Sequence, residues 1–228
     1  MTDRRRKSRP GTAQTVSPAK SVVESIIRRV KTDVQNGNYA PGQRLIEADL
    51  QHATGASRGP IREAMRRLAA EGLIEIQHRK GARVRRLTHR QIENLYDVRE
   101  VLEGFATRCA AARADSTAFR SGIAKLEERF KKKFDGSPQA YMDYNAAFHA
   151  FIVQHSGNAD LVRVVSELHV PIFMLRLYRI IDRDFIARAH DEHAEIVRYL
   201  FQGDADRAER SMRKHIRSTK ATVLSRTT

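Results

Sequence analysis

A single cysteine in 228 residues, Cys109, leaves no partner for an intrachain disulfide and no pair for a thiolate zinc site or a Cys-based redox motif. A reducing compartment, the cytoplasm, is the expected setting. No apolar run approaches the ~20 residues of a membrane-spanning helix, and the basic N-terminus is not followed by an apolar signal segment. The chain is expected to be soluble, unexported and without a membrane partner. Acidic residues are also short: 27 Asp+Glu stand against 42 Lys+Arg, a formal net charge of +15. The imbalance is local, since residues 1–87 carry 19 basic against 8 acidic side chains and residues 88–228 carry 23 against 19. A surface of that kind attracts polyanions and makes their binding steeply salt-dependent. Strand signals are missing from Thr88 onward, and no internal repeat is present.

What the chain does have is concentrated between Ala48 and Val84, where a short helix, a tight turn and a basic second helix run into a glycine-turned β-hairpin. Gly55 frees the backbone for the turn, Ser57 is a good N-cap, and Pro60 falls in a first helical turn where its missing N–H costs nothing. Ile61, Ala64, Met65 and Leu68 recur at i, i+3, i+4 and i+7 and form a buried stripe, with Arg58, Arg62 and Arg66 along its flank. Gly72 ends that helix. Ile74 and Ile76 then lead out to a basic tip, His78, Arg79 and Lys80, and Ala82 and Val84 lead back. This order predicts a winged helix-turn-helix. In a major groove, the arginine fork matches guanine O6 and N7, which makes Arg58 and Arg62 the candidate base readers. Lys80 is expected to serve all sequences alike.

The stretch from Lys20 to Leu87 resembles the DNA-binding domain of GntR-type bacterial transcription regulators. The resembling residues are Gly37, Pro41-Gly42, Leu45, Glu47, Leu50, Ser57-Arg58, Pro60-Ile61-Arg62-Glu63-Ala64, Glu71-Gly72-Leu73 and Gly81. The resemblance implies that Arg58 and Arg62 read bases while Ser57, His78 and Arg79 contact the DNA backbone or the minor groove beside the wing. The family pattern has valine where this chain has Ala56, and a small or polar residue where it has Gly59.

Three parts are expected. Residues 1–19, with Arg4, Arg5, Arg6, Lys7 and Arg9 among Ser, Thr, Pro and Gly, read as a flexible basic tail. Residues 20–87 form the winged head, opened by a helix carrying Val22, Val23, Ile26, Ile27, Val30 and Val34 on one face. Residues 88–228 form an all-α bundle of about six helices, broken near Ser116, Ser137, Gly157, Asp182 and Gly203, with Pro171 kinking the piece from Asp160 to Ile181. The class is mainly α. The bundle resembles the FCD ligand-binding domain of the FadR-like branch, on Leu95-Tyr96-Asp97-Val98-Arg99, Glu103, Asn145, Phe148-His149, Ser156-Gly157-Asn158, Glu192-His193, Gly203-Asp204, Ala208 and His215.

Helix by helix, His149, His193 and His215 point inward. His193 lies ten residues before Gly203 and His215 twelve after it, so an antiparallel helix pair brings them to one height. Asn145 precedes His149 by one turn and can offer a carbonyl oxygen. Three converging imidazoles suit a divalent metal better than an apolar core, and the FCD resemblance implies such a metal on three histidines with an Asp or Asn. Zinc is expected, with nickel or manganese as alternatives. His169 and His190 read as structural. Arg99 falls within the buried arc read for its helix, which comprises Ile92, Leu95, Val98, Leu102, Phe105, Ala106 and Cys109. A buried guanidinium needs a partner, either Glu103 at i+4 or an anionic effector. The reading that follows is a homodimeric transcription regulator on a palindromic DNA operator, responsive to a small organic acid, and not an enzyme. A three-histidine hydrolase and a charge-driven DNA-compacting protein are the alternatives.

Overall fold

The computed structural model describes residues 18–77, 81–133, 137–168 and 181–226. The wing tip His78, Arg79 and Lys80, most of the basic tail, His169 and Pro171 lie outside the described residues. The first hydrophobic core is assembled by a helix α1 (Pro18–Gln35), a two-residue strand β1 (Arg44–Leu45), helices α2 (Glu47–Thr54) and α3 (Arg58–Ala70), and a hairpin of β2 (Ile74–Gln77) and β3 (Gly81–Val84). The antiparallel sheet runs β1-β3-β2, with Leu45 and Ile76 both opposite Ala82. Val30, Leu50, Ile61, Ala64, Leu68 and Leu73 are buried at its centre.

The turn into α3 follows local chemistry. Gly55 ends α2 in the left-handed conformation at φ 68°, returning its N–H to the Gln51 carbonyl. Ser57 stands at the N-cap of α3 with extended backbone, but its side chain makes no cap hydrogen bond, so its expected capping role is not realised. Val22, read on the apolar face of α1, is exposed because it falls on the edge of that stripe. Ile76 is exposed where the hairpin runs past the core.

Six helices follow among the described residues: α4 (His89–Ala111), α5 (Thr117–Lys133), α6 (Pro138–His155), α7 (Ala159–Glu167), α8 (Arg183–Phe201) and α9 (Ala205–Arg226). Their starts are fixed by side chains that satisfy orphan N–H groups: Thr88 and Gln91 form a capping box on α4, and Ser137, Asn158 and Asp182 cap α6, α7 and α8. Helix α4 is central, touching α6, α7, α8 and α9.

The buried arc of α4 differs from the one read from hydrophobicity. Tyr96, Arg99, Glu103, Gly104, Ala106, Thr107 and Ala110 face inward, whereas Val98, Val101 and Phe105 are 44%, 52% and 44% exposed. The reason is helix packing: Gly104 lets α9 approach so closely that a methyl there would stand 2.7 Å from Arg213 Cγ. The inward face is therefore built of small and hydrogen-bonded residues instead of large aliphatic ones.

Candidate functional site

Helices α6, α8 and α9 bring His149, His193 and His215 together, with one nitrogen of each within 4.8 Å of the others and all three side chains buried. The three ring centroids lie 4.5 to 5.3 Å apart, and Phe148 stacks on His193 at 4.0 Å. His193 Nε2 faces His215 Nε2 at 3.2 Å. This is the meeting expected from their nearly equal spacing about Gly203.

Two carboxylates stand behind the imidazoles. Glu192 Oε2 accepts from His215 Nδ1 at 2.7 Å, which directs the Nε2 lone pair of His215 toward the cluster. Glu103 Oε2 lies 2.6 Å from His149 Nδ1, at ion-pair distance but without a hydrogen bond's alignment. Neither contact was assigned from sequence. Glu103 was weighed only as a partner of Arg99, and Glu192 stands beside His193 in the chain but reaches the ring on the next helix. Burial, reinforced by His215 and His149, pushes the His193 pKa well below its ordinary value; burial also lowers that of His215 against the opposing pull of Glu192. Neutral imidazoles are the form that ligates a metal. His149 Nε2 is buried without a hydrogen-bond partner, where a cation would satisfy it, and His193 Nδ1 is likewise buried and unpartnered. The donor set thus fits a divalent cation.

Asn145 stands beside His149, and its Oδ1 accepts from the Tyr141 hydroxyl at 3.2 Å. The amide oxygen keeps a second lone pair for a further partner. His190 is apart from the trio, paired with Glu127 at 3.2 Å and stacked on Phe130.

A cavity of about 340 Å³ between α4, α6 and α7 reaches the cluster at His149. Arg99, Glu103, Asn145 and His149 contribute its polar wall, and Met142, Ala146, Val153, Val162 and Val165 much of its apolar wall. Arg99 Nε donates to Glu103 Oε1 at 2.7 Å, the internal partner anticipated at i+4. Burial opposes ionisation of Glu103, but Arg99 and His149 overcome it and hold the carboxyl below its usual range. Arg99 Nη1 remains buried with no partner. At the rim, Gln139 Nε2 donates to Asp143, while Gln139 Oε1 accepts from Gln35 Nε2 at the end of α1 at 2.6 Å.

In the head, Arg58, Arg62 and Arg66 lie exposed along one flank of α3, and Ser57 is exposed at its start. Arg66 pairs with Glu63 at 2.8 Å, and Arg62 with Glu47 at 3.1 Å. The second of these pairs joins α2 to α3 and was not foreseen.

Fold and site together define a transcription regulator with a winged DNA-binding head and a helical domain built around a histidine cluster. Residues 22–84 match the model of the gntR family of bacterial regulatory proteins and residues 94–218 that of the FCD domain. The chain belongs to the GntR family, in its FCD-bearing branch, and is a DNA-binding transcription regulator. It is 31% identical over 150 residues to the HTH-type transcriptional regulator YdhC of Bacillus subtilis (strain 168), a match covering 65% of this chain and 67% of the relative. It is 25% identical over 197 residues to the HTH-type transcriptional repressor GlaR of Escherichia coli (strain K12), covering 83% and 90%. Among solved structures, E. coli McbR/YncC shares the fold at a TM-score of 0.71 and 20% identity, over 90% of this chain and 97% of that one. These relatives are regulators, not enzymes. No helix among the described residues is long and apolar enough to cross a membrane.

Proposed function

We propose that this regulator releases or engages a palindromic operator as a homodimer in response to a small organic acid bound beside a divalent metal. The observation that carries the reading is the pairing, in one cavity wall, of two buried and unsatisfied groups, Arg99 Nη1 and His149 Nε2. Leaving a buried polar group unpaired costs about 1–3 kcal/mol, more when it is charged, so two of them side by side call for a ligand. His149, His193 and His215 would hold the cation, with Asn145 as a weaker fourth ligand, and a cation on neutral donors supplies positive charge and open positions to a carboxylate. Arg99 would grip a second oxygen through Nη1, Glu103 keeping its Nε. A volume near 340 Å³ suits a sugar acid or a short hydroxy or dicarboxylic acid.

Arg58 and Arg62 would read bases, with Ser57, Arg66, His78, Arg79 and Lys80 on the sugar-phosphate backbone. Exposed Val98, Val101 and Phe105 on α4 support a second copy as partner. Linkage requires that acid and DNA change each other's affinity by one common factor.

Calorimetric titration of metal-loaded wild type and Arg99→Ala with an organic-acid panel, followed by operator release with the best binder, tests the reading. Saturable binding that Arg99→Ala weakens tenfold or more is expected on the scale of one charge-assisted bidentate pair. Equal affinity in both proteins would confine Arg99 to its pair with Glu103.

A further inference from the structure

The Glu47–Arg62 contact is formed with a particular geometry. Arg62 Nε donates to both Glu47 oxygens, each at 3.1 Å, and neither terminal amino group of Arg62 has a partner among the described residues. Both side chains are largely solvated, at 37% and 62% exposure, so the contact adds little to folding. Glu47 opens α2, two residues after the strand whose Leu45 pairs with Ala82 of the wing hairpin. Arg62 sits on the exposed flank of α3. The carboxylate therefore ties the recognition helix to the segment that anchors the wing.

A guanidinium offers two edges. The end-on fork of Nη1 and Nη2 spans guanine O6 and N7, while Nε–H belongs to a side edge. In this chain the carboxylate occupies Nε and leaves the fork free. Its neighbours are held differently: Arg66 gives a terminal nitrogen to Glu63, and Arg58 has no ion pair among the described residues.

We infer that Glu47 is a specificity-determining positioning residue, which fixes Arg62 by its Nε so that the terminal fork meets one guanine of the operator. The inference rests on the base-reading role proposed for Arg62. Fixing the side chain before DNA arrives removes rotamer freedom that binding would otherwise have to remove. The Glu47 charge also offsets that of Arg62, which lowers its attraction to any phosphate and favours the one position where hydrogen bonds replace it. Glu47 thus raises the ratio of specific to non-specific binding without touching DNA.

The test uses the full chain and duplexes selected by wild type from a randomised pool, then varied one base pair at a time. Arg62→Ala identifies the base pair that Arg62 reads. Glu47→Ala is expected to lower discrimination at that same base pair roughly tenfold, the scale of one bidentate contact, with an unchanged melting temperature and equal or higher affinity for unrelated duplex. Glu47→Gln, which keeps an acceptor but loses the charge, should fall between. The double variant should be no worse than Arg62→Ala alone. A Glu47→Ala profile identical to wild type, a uniform loss across all duplexes, or additive losses in the double variant would each overturn the inference. If Arg62→Ala itself changed no base preference, the base-reading role beneath it would fail first, and separately.

Discussion

Glu103 is the residue on which most of the regulatory domain's polar chemistry converges. It meets Arg99 with one oxygen and His149 with the other, all within the protein interior. Replacing it by Gln leaves the Arg99 charge uncompensated, and removing one partner of a buried pair typically costs about 3–5 kcal/mol. Glu103→Gln is expected to lose stability of that order in urea unfolding. It should also weaken metal binding by roughly 10- to 100-fold, because the carboxylate stands behind a ring proposed as a metal ligand. Stability with full metal affinity would contradict the second half of this expectation.

The same cluster gives a pH dependence whose sign can be worked out. His193 and His215 have folded pKa values below their ordinary 6.5, so below that pH the unfolded chain binds protons that the folded chain refuses. Their contribution to stability is intact above pH 6.5 and declines as pH falls through the depressed folded values. His190, raised by its bond to Glu127, behaves oppositely: its contribution is complete below 6.5 and is lost as pH rises through its elevated value. Between pH 6.5 and 5 that term is constant, so a fall in metal-free stability there is expected from His193 and His215. Urea midpoints of chelated protein should drop across this window, and His193→Phe should flatten the slope. At pH 7, metal at 100 times its Kd should add about 2.7 kcal/mol by mass action.

Among the helices, local signals and packing signals separate clearly. The breaks at Ser116, Ser137, Gly157, Asp182 and Gly203 were legible because caps and left-handed glycines act within a few residues. The face that α4 buries was not, because hydrophobicity points to Val98 and Phe105 while the fit against α9 is set by Gly104 and the polar line through Arg99 and Glu103. Glycine substitutions show the same division. In open space, Ala in a helix gains up to about 1 kcal/mol over Gly. Gly59 in α3 has nothing near its would-be methyl, and Gly59→Ala should raise the melting temperature. Gly122 in α5 faces the Phe151 ring, which is itself stacked on His155, so Gly122→Ala should instead destabilise by about 1–3 kcal/mol through overpacking. Thermal melts of the two variants should move in opposite directions.

At the scale of the whole molecule, head and regulatory domain touch through the Gln35–Gln139 bond, and Gln139 belongs to the rim of the cavity proposed for the effector. Helix α4, which starts five residues after the wing's last strand and carries Arg99, is a second route between them. Gln139→Ala is expected to leave operator affinity in the absence of acid within about twofold and to reduce the acid's effect on it, since coupling energies lie near 1–3 kcal/mol and one contact supplies part. Paired DNA titrations with and without acid measure this directly. An undiminished acid effect would assign the coupling to α4 alone. What the sequence by itself determined was whatever depends on neighbours along the chain: the order of elements, the exposed arginine flank of α3, and the inward turn and equal height of His193 and His215. Only the tertiary structure decided the partners across helices: Glu192 on His215, the second oxygen of Glu103 on His149, and Glu47 on Arg62 Nε. The physical reason is range, because periodicity fixes the direction of a side chain from its own backbone, whereas a hydrogen bond across helices depends on crossing geometry set by the whole core.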